Sequence, residues 1–179
     1  IADSAGNECG ALVAAAGGHL TLKDGAGNVA VDLSSAGAGK GGTVRVGNGS
    51  GAPALLVDTK DDGSGRLTVG TPTGTAAFVA EASGSTGTAS VYMQERRVAA
   101  MGAGRTGGLL NLMDAKGQPL VVSGAAADAE GGAISVRNAR GTQIGRLGVD
   151  PAGAGELAVY NSTATMKKVV EAPSPAAAK

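Results

Sequence analysis

Apolar and polar residues alternate along most of this chain in short runs, and each run ends in a turn signal. Residues 132–141, GAISVRNARG, give the clearest case: Ile134 and Val136 fall on one side of an extended segment that meets Asn138 and, three places on, Gly141. Residues 42–51, GTVRVGNGSG, nearly repeat the phrase, and 20–27, 110–117 and 157–161 continue it. The alternate apolar pairs are Leu20/Leu22, Val44/Val46, Leu67/Val69, Leu110/Leu112, Ile134/Val136 and Leu157/Val159. A period of two predicts a strand with one face to bury. Beyond each turn a second strand is predicted, at 29–33, 55–57, 78–80 and 120–122. A Gly-rich loop then closes the unit, at 34–42, 58–65, 82–87, 126–132 and 150–155. No helical period competes, since the Ala-rich stretch 8–16 falls where the pattern expects a second strand.

The residue ending the first strand of each unit is usually Asp or Asn: Asp3, Asp24, Asn48, Thr71, Gln94, Asp114, Asn138 and Asn161, in steps of 21, 24, 23, 23, 20, 24 and 23. A period of this size marks a repeat architecture. Gly follows three places later at Gly6, Gly27, Gly51, Gly74, Gly117 and Gly141, while Arg97 and Ala164 break the rule. Asx side chains bond to nearby backbone and Gly accepts positive φ, so this pair specifies a tight turn. The turn positions Asp24, Gly27, Asn48, Gly51, Gly74, Asp114, Gly117, Asn138, Gly141 and Asn161 are therefore expected to carry the architecture.

The expected fold is all-β, with strand-turn-strand-loop repeats of about 23 residues over residues 1–171. Residues 172–179, APSPAAAK, leave the pattern and read as a tail or linker. The opening at Ile1 reads as the end of a strand, so a piece of a longer array is expected. One unit offers too few inward apolar side chains to bury its own face, so neighbours must cover it. Two arrangements fit, a monomeric β-solenoid and an intertwined trimeric β-helix or β-prism. Small inward residues and two strands per unit favour the trimer.

Composition narrows this picture. There are 32 Gly without a three-residue period, one Phe, two Tyr and no Trp, so any core is aliphatic and collagen is excluded. Fifteen basic and fifteen acidic residues give zero formal charge, which argues against a nucleic-acid binder. No apolar run reaches the ~18 residues of a membrane span. Cys9 stands alone, so there is no disulfide framework.

The recurring phrase, an alternating strand into Asn-x-x-Gly followed by a Val/Ala strand and Gly-Ala loops, resembles the repeats of bacterial surface fibres and phage tail-fibre shafts. The resemblance covers Ile1 to about Val170 and concerns architecture. It implies β-helical homotrimers whose binding function sits in a separate tip, and no tip is evident here.

Candidate chemistry is sparse. Asp58, Asp61 and Asp62 share one loop, where a carboxylate pair would suit glycoside hydrolysis or oxygen ligands would suit Ca²⁺. Lys60 inside the loop and the absence of aromatic sugar platforms argue for a solvated charge cluster. Asp128, Glu130 and Asp150 occupy comparable loops. His19 and Cys9 are ten residues apart, a spacing that does not stack them in a repeat of this length. The Gly-rich stretches 37–43 and 102–107 lack the Lys-Ser/Thr and the helix of a phosphate loop. Thr21, Thr43 and Thr68 do not share one register, so no threonine array forms. Glu95, Arg96 and Arg97 form a charge cluster in the irregular unit, and Asn48 and Asn161 sit in Asn-x-Ser/Thr sequons.

The expectation is a non-enzymatic structural shaft or filament subunit, extracellular or on a cell or virion surface. It would act by self-association as a homotrimer or end to end. No cofactor, metal, nucleic acid or membrane insertion is expected, and a cell-surface glycan or protein is the possible external partner. The alternative is a glycan-binding adhesin or a fragment of a β-helical polysaccharide depolymerase.

Overall fold

A computed structural model describes residues 1–14, 17–35, 41–104, 107–125, 131–149 and 154–171. The loop residues Lys40, Arg105, Asp128, Glu130 and Asp150 and the tail 172–179 lie outside the described residues. By its internal contacts the chain divides into two units, Ile1–Glu95 and Arg96–Lys179.

The first unit contains β1 (Gly10–Val13), β2 (His19–Lys23), β3 (Val29–Ser35), β4 (Gly42–Gly47), β5 (Pro53–Thr59), β6 (Gly65–Gly70), β7 (Ala76–Ser83) and β8 (Thr86–Met93). Each strand pairs antiparallel with the next. The second unit contains β9 (Arg96–Gly104), β10 (Gly107–Met113), β11 (Pro119–Ala125), β12 (Gly132–Arg137), β13 (Gln143–Val149), β14 (Gly155–Tyr160) and β15 (Met166–Glu171), paired in the same way.

This pairing differs from a solenoid. A solenoid coil stacks each strand on its counterpart one unit later, in parallel. Here the ladder joins strands that the turns already connect, so each unit is an antiparallel meander. The physical reason is the turn: a four-residue reversal places its flanking strands within hydrogen-bonding distance at once, with little loop-closure entropy.

Six turns share one local device. The register slips at Leu22/Lys23, Val46/Gly47, Val69/Gly70, Leu112/Met113, Val136/Arg137 and Val159/Tyr160, each time as the strand enters the turn. Such bulges sharpen the local twist and pin the register. Gly47 and Gly70 sit at two of these points, where a Cβ would collide with the carbonyl oxygens of Val29 and Pro53.

Register and alternation sort the side chains by face. In the first unit one row runs Gly10, Leu22, Val31, Val46, Leu55, Val69, Phe78, Val91. The adjacent row runs Leu12, Leu20, Leu33, Val44, Val57, Leu67, Ala80, Ala89. No polar side chain interrupts either. The opposite face carries Thr21, Asp32, Arg45, Asp58, Arg66, Thr68 and Glu81, with Leu56 and Val79 among them.

The second unit repeats a mainly apolar face with Ala99/Met101, Leu110/Leu112, Val121/Ser123, Ile134/Val136, Gly145/Leu147, Leu157/Val159 and, in β15, Lys168/Val170. Its other face carries Ala100, Asn111, Val122, Ser135, Arg146, Ala158 and Val169, with Glu156 and Glu171 paired in the adjacent row.

Neither apolar face is covered. Among the described residues the buried apolar side chains are Ala154 and Ala158, Ser90 is the buried polar one, and no large side chain is fully buried. Leu33, Val44, Val57 and Val91 remain 38%, 40%, 40% and 44% exposed. The alternation that predicts a buried face produces instead a single layer with that face open.

Candidate functional site

The predicted turn positions come together as a row along one edge of each unit, because alternate reversals of a meander lie on the same side. At Asp24 the carboxylate Oδ1 accepts the N–H groups of Ala26 and Asn28, both at 2.9 Å. The backbone closes beneath it, with Asp24 N–H donating to Asn28 O at 2.8 Å and Gly27 N–H to Asp24 O at 2.9 Å. Asn48, Asp114, Asn138 and Asn161 repeat this, each side-chain oxygen taking the N–H groups two and four residues on. Thr71 has a shorter side chain and bonds only the hydroxyls of Thr73 and Thr75.

Gly6, Gly27, Gly51, Gly74, Gly117 and Gly141 all adopt φ between 77° and 84°. Ala164 adopts 62° at the equivalent place in the last turn, carrying its Cβ into the left-handed region. The row is also cross-tied. Asn28 Nδ2 donates to Gly49 O at 3.1 Å and Asn48 Nδ2 to Pro72 O at 2.8 Å, so successive turns of the first unit are held together. In the second unit Arg96 Nη1 reaches Ala115 O at 2.7 Å.

Two turns differ from expectation. Gln94 is not the start of an Asx-type turn: Gln94 and Glu95 both lie in the left-handed region, at 50° and 65°, as a two-residue reversal. The stretch 58–65 holds no open loop but the same backbone turn on the opposite edge. Lys60 N–H donates to Ser64 O at 2.8 Å, Gly63 N–H donates to Lys60 O at 2.9 Å, and Gly63 has φ 83°. The Asx side chain is displaced by two positions, with Asp62 Oδ1 accepting Ser64 N–H at 3.0 Å.

Two of that turn's three carboxylates, Asp58 and Asp62, are engaged with cations and donors, while Asp61 is exposed. Arg66 grips Asp58 with both ends of its fork, Nε to Oδ1 at 3.0 Å and Nη2 to Oδ2 at 2.5 Å. This bidentate hydrogen bonding holds Asp58 below the usual carboxylate range despite its partial burial. Hydrogen bonds from Ser64 do the same for Asp62. Lys60 Nζ lies 3.6 Å from Glu81 and 4.0 Å from Asp62. A glycosidase acid needs a raised pKa, and these two groups move the other way. Among the described residues no three His, Cys, Asp or Glu side chains converge to hold a metal ion.

The remaining candidates are dispersed. His19 Nε2 lies 2.8 Å from Asp32 Oδ2 and 3.0 Å from Thr21 Oγ1, so both partners meet one ring nitrogen and no relay forms through the imidazole. Cys9 precedes Gly10, which pairs with Leu22, whereas His19 pairs with Val13 at the other end of the same ladder. Thr21 and Thr68 share one row of the polar side, but Asp32, Arg45 and Leu56 stand between them, and Thr43 lies in another row opposite Ser34, so no threonine array forms. Of the sequon asparagines, Asn48 already spends its amide on Pro72 O.

What the sequence reading missed is the distribution of charge. The total is zero, but residues 1–95 hold five basic and nine acidic residues and 96–179 hold ten and six, giving −4 and +4. Counting by halves would have found it.

No family model matches the chain, and no curated protein is similar to it.

Proposed function

We propose that this chain is a structural, self-associating β-layer subunit of an extracellular fibre or shaft on a cell or virion surface. The observation that carries this reading is the apolar face of each unit, unbroken in the first, interrupted by Ser123 and Lys168 in the second, and with its large side chains left partly exposed.

In this reading the chain works through layered backbone pairing, Asx-Gly turns and aliphatic faces packed between copies. The copies form an intertwined trimeric prism or join end to end. The likeness to surface-fibre repeats rests on the repeating phrase itself. The chemistry-bearing alternative has no comparable support, because Asp58 and Asp62 are held ionised and engaged.

Negative-stain electron microscopy of the purified chain tests the proposal. Uniform slender rods or filaments are expected. Isolated particles too small to contain more than one 17.0 kDa chain would overturn it.

A further inference from the structure

We infer that the occupant of the open apolar face is a second copy of this chain, docked head to tail: the β1–β8 unit of one copy covers the β9–β15 unit of the next. The inference rests on the self-associating reading above and names its geometry.

Two independent observations meet here. The first is shape and chemistry. Both units present a two-residue-wide, mainly aliphatic stripe from consecutive paired strands, so the surfaces are alike in spacing, and the charge that the register places in these rows is Lys168, opposite Val159 in the second unit. Hydrophobic burial alone would let either unit meet either unit.

The second observation removes that degeneracy. The first unit carries −4 and the second +4. Placing like units together sets equal charges against each other, whereas placing unlike units together cancels them. Complementary potentials select register and partner more than they add affinity.

The charges are placed to act this way. Apart from Lys168, which the register places opposite Val159, the paired rows of the stripe carry no charge. Asp61, Asp62 and Glu95 are exposed on turns of the first unit, and Lys116 and Arg140 on turns of the second. Arg97, Lys116 and Arg140 make no ion pair among the described residues, so they are free to meet a neighbour's carboxylates. A contact between unlike surfaces is heterologous, and repeated without closure it builds a filament. An in-register trimer would instead gather like charges on each level.

Mixed-isotope cross-linking tests this on the unaltered chain. Equal amounts of ¹⁴N and ¹⁵N protein are unfolded together, refolded, cross-linked at lysines and carboxylates, and digested. Links of mixed isotope report contacts between copies. They are expected to join residues 1–95 of one copy to 96–179 of another. Mixed links confined to like units would overturn the head-to-tail geometry while leaving self-association standing. Absence of mixed links would overturn both.

The charge term is tested separately with K116E/R140E, which brings the second unit from +4 to zero on exposed turn positions. Assembly should weaken roughly tenfold at low salt, with the difference vanishing near 1 M NaCl where screening is nearly complete. An unchanged assembly at low salt would overturn the selection by charge.

Discussion

The two units fold by the same local rules and differ in what they show to solvent. Both reverse at an Asx side chain that takes two N–H groups, both slip register on entering the turn, and both gather their aliphatics on one face. Their other faces diverge. The first unit sets Arg66 on Asp58 and Lys60 beside Glu81. The second is largely Ala, Val and Ser, with Arg146 beside Glu156 at 3.6 Å. Turn chemistry and alternation therefore suffice to specify the meander, and charge is left free to vary. That freedom is what lets the halves carry opposite sign at no expense to the fold.

The largest expected effect comes from charging the shared feature. Val57→Asp in the first unit and Leu147→Asp in the second each place a carboxylate in the open stripe. If copies cover the stripe, association should fall at least ~100-fold, since an unpaired charge resists burial. Ser135→Asp, on the other face opposite Arg146, should change association little. Sedimentation velocity separates these outcomes, and equal effects on both faces would break the comparison.

Smaller effects probe the turns. Asn138→Ala removes the acceptor for Arg140 and Thr142 N–H groups and should lower stability by about 1 kcal/mol in denaturant unfolding. Asn48→Ala should lower it further, because Asn48 also ties Pro72. Equal losses would mean that the cross-tie contributes nothing.

Acid should separate the units. Asp3, Glu8, Asp24, Asp58 and Asp62, all in the first unit, are held below their ordinary values, chiefly by side-chain hydrogen bonds from Asn7, Lys23, Asn28, Arg66 and Ser64 respectively. A carboxylate held low when folded stabilises above its unfolded value, near pH ~4. That contribution disappears as pH falls through the folded value. Hydrogen exchange should then show protection lost from β2–β7 before β10–β14 as pH drops below about 4.

The smallest effect is a gain. Ala164→Gly relieves a left-handed Ala at φ 62° and should raise stability by about 1 kcal/mol. No change in the unfolding midpoint would contradict the strain.

Much of this was legible in the residues. The strands, the Asx positions and the left-handed Gly follow from alternation and turn chemistry. Which strands pair did not follow, because a period of two is the same whether a strand meets its turn-mate or the next coil. The turn at Lys60 was hidden because Lys stands where Asp or Asn usually does. The reversal at Gln94 and Glu95 was hidden because neither residue favours positive φ. The open face was legible only as a stripe needing a partner, since no pattern along one chain says whether the partner is its own. The opposite charges were visible by halves and cancelled in the total.

The central claim is that copies of this chain cover the stripe in solution. Light scattering of the native protein, with the denatured mass as control, tests it most directly. The account predicts a native mass several times 17.0 kDa, growing with concentration if the contacts stay open and fixed at a small multiple if they close. A stable 17.0 kDa species at every concentration would contradict it.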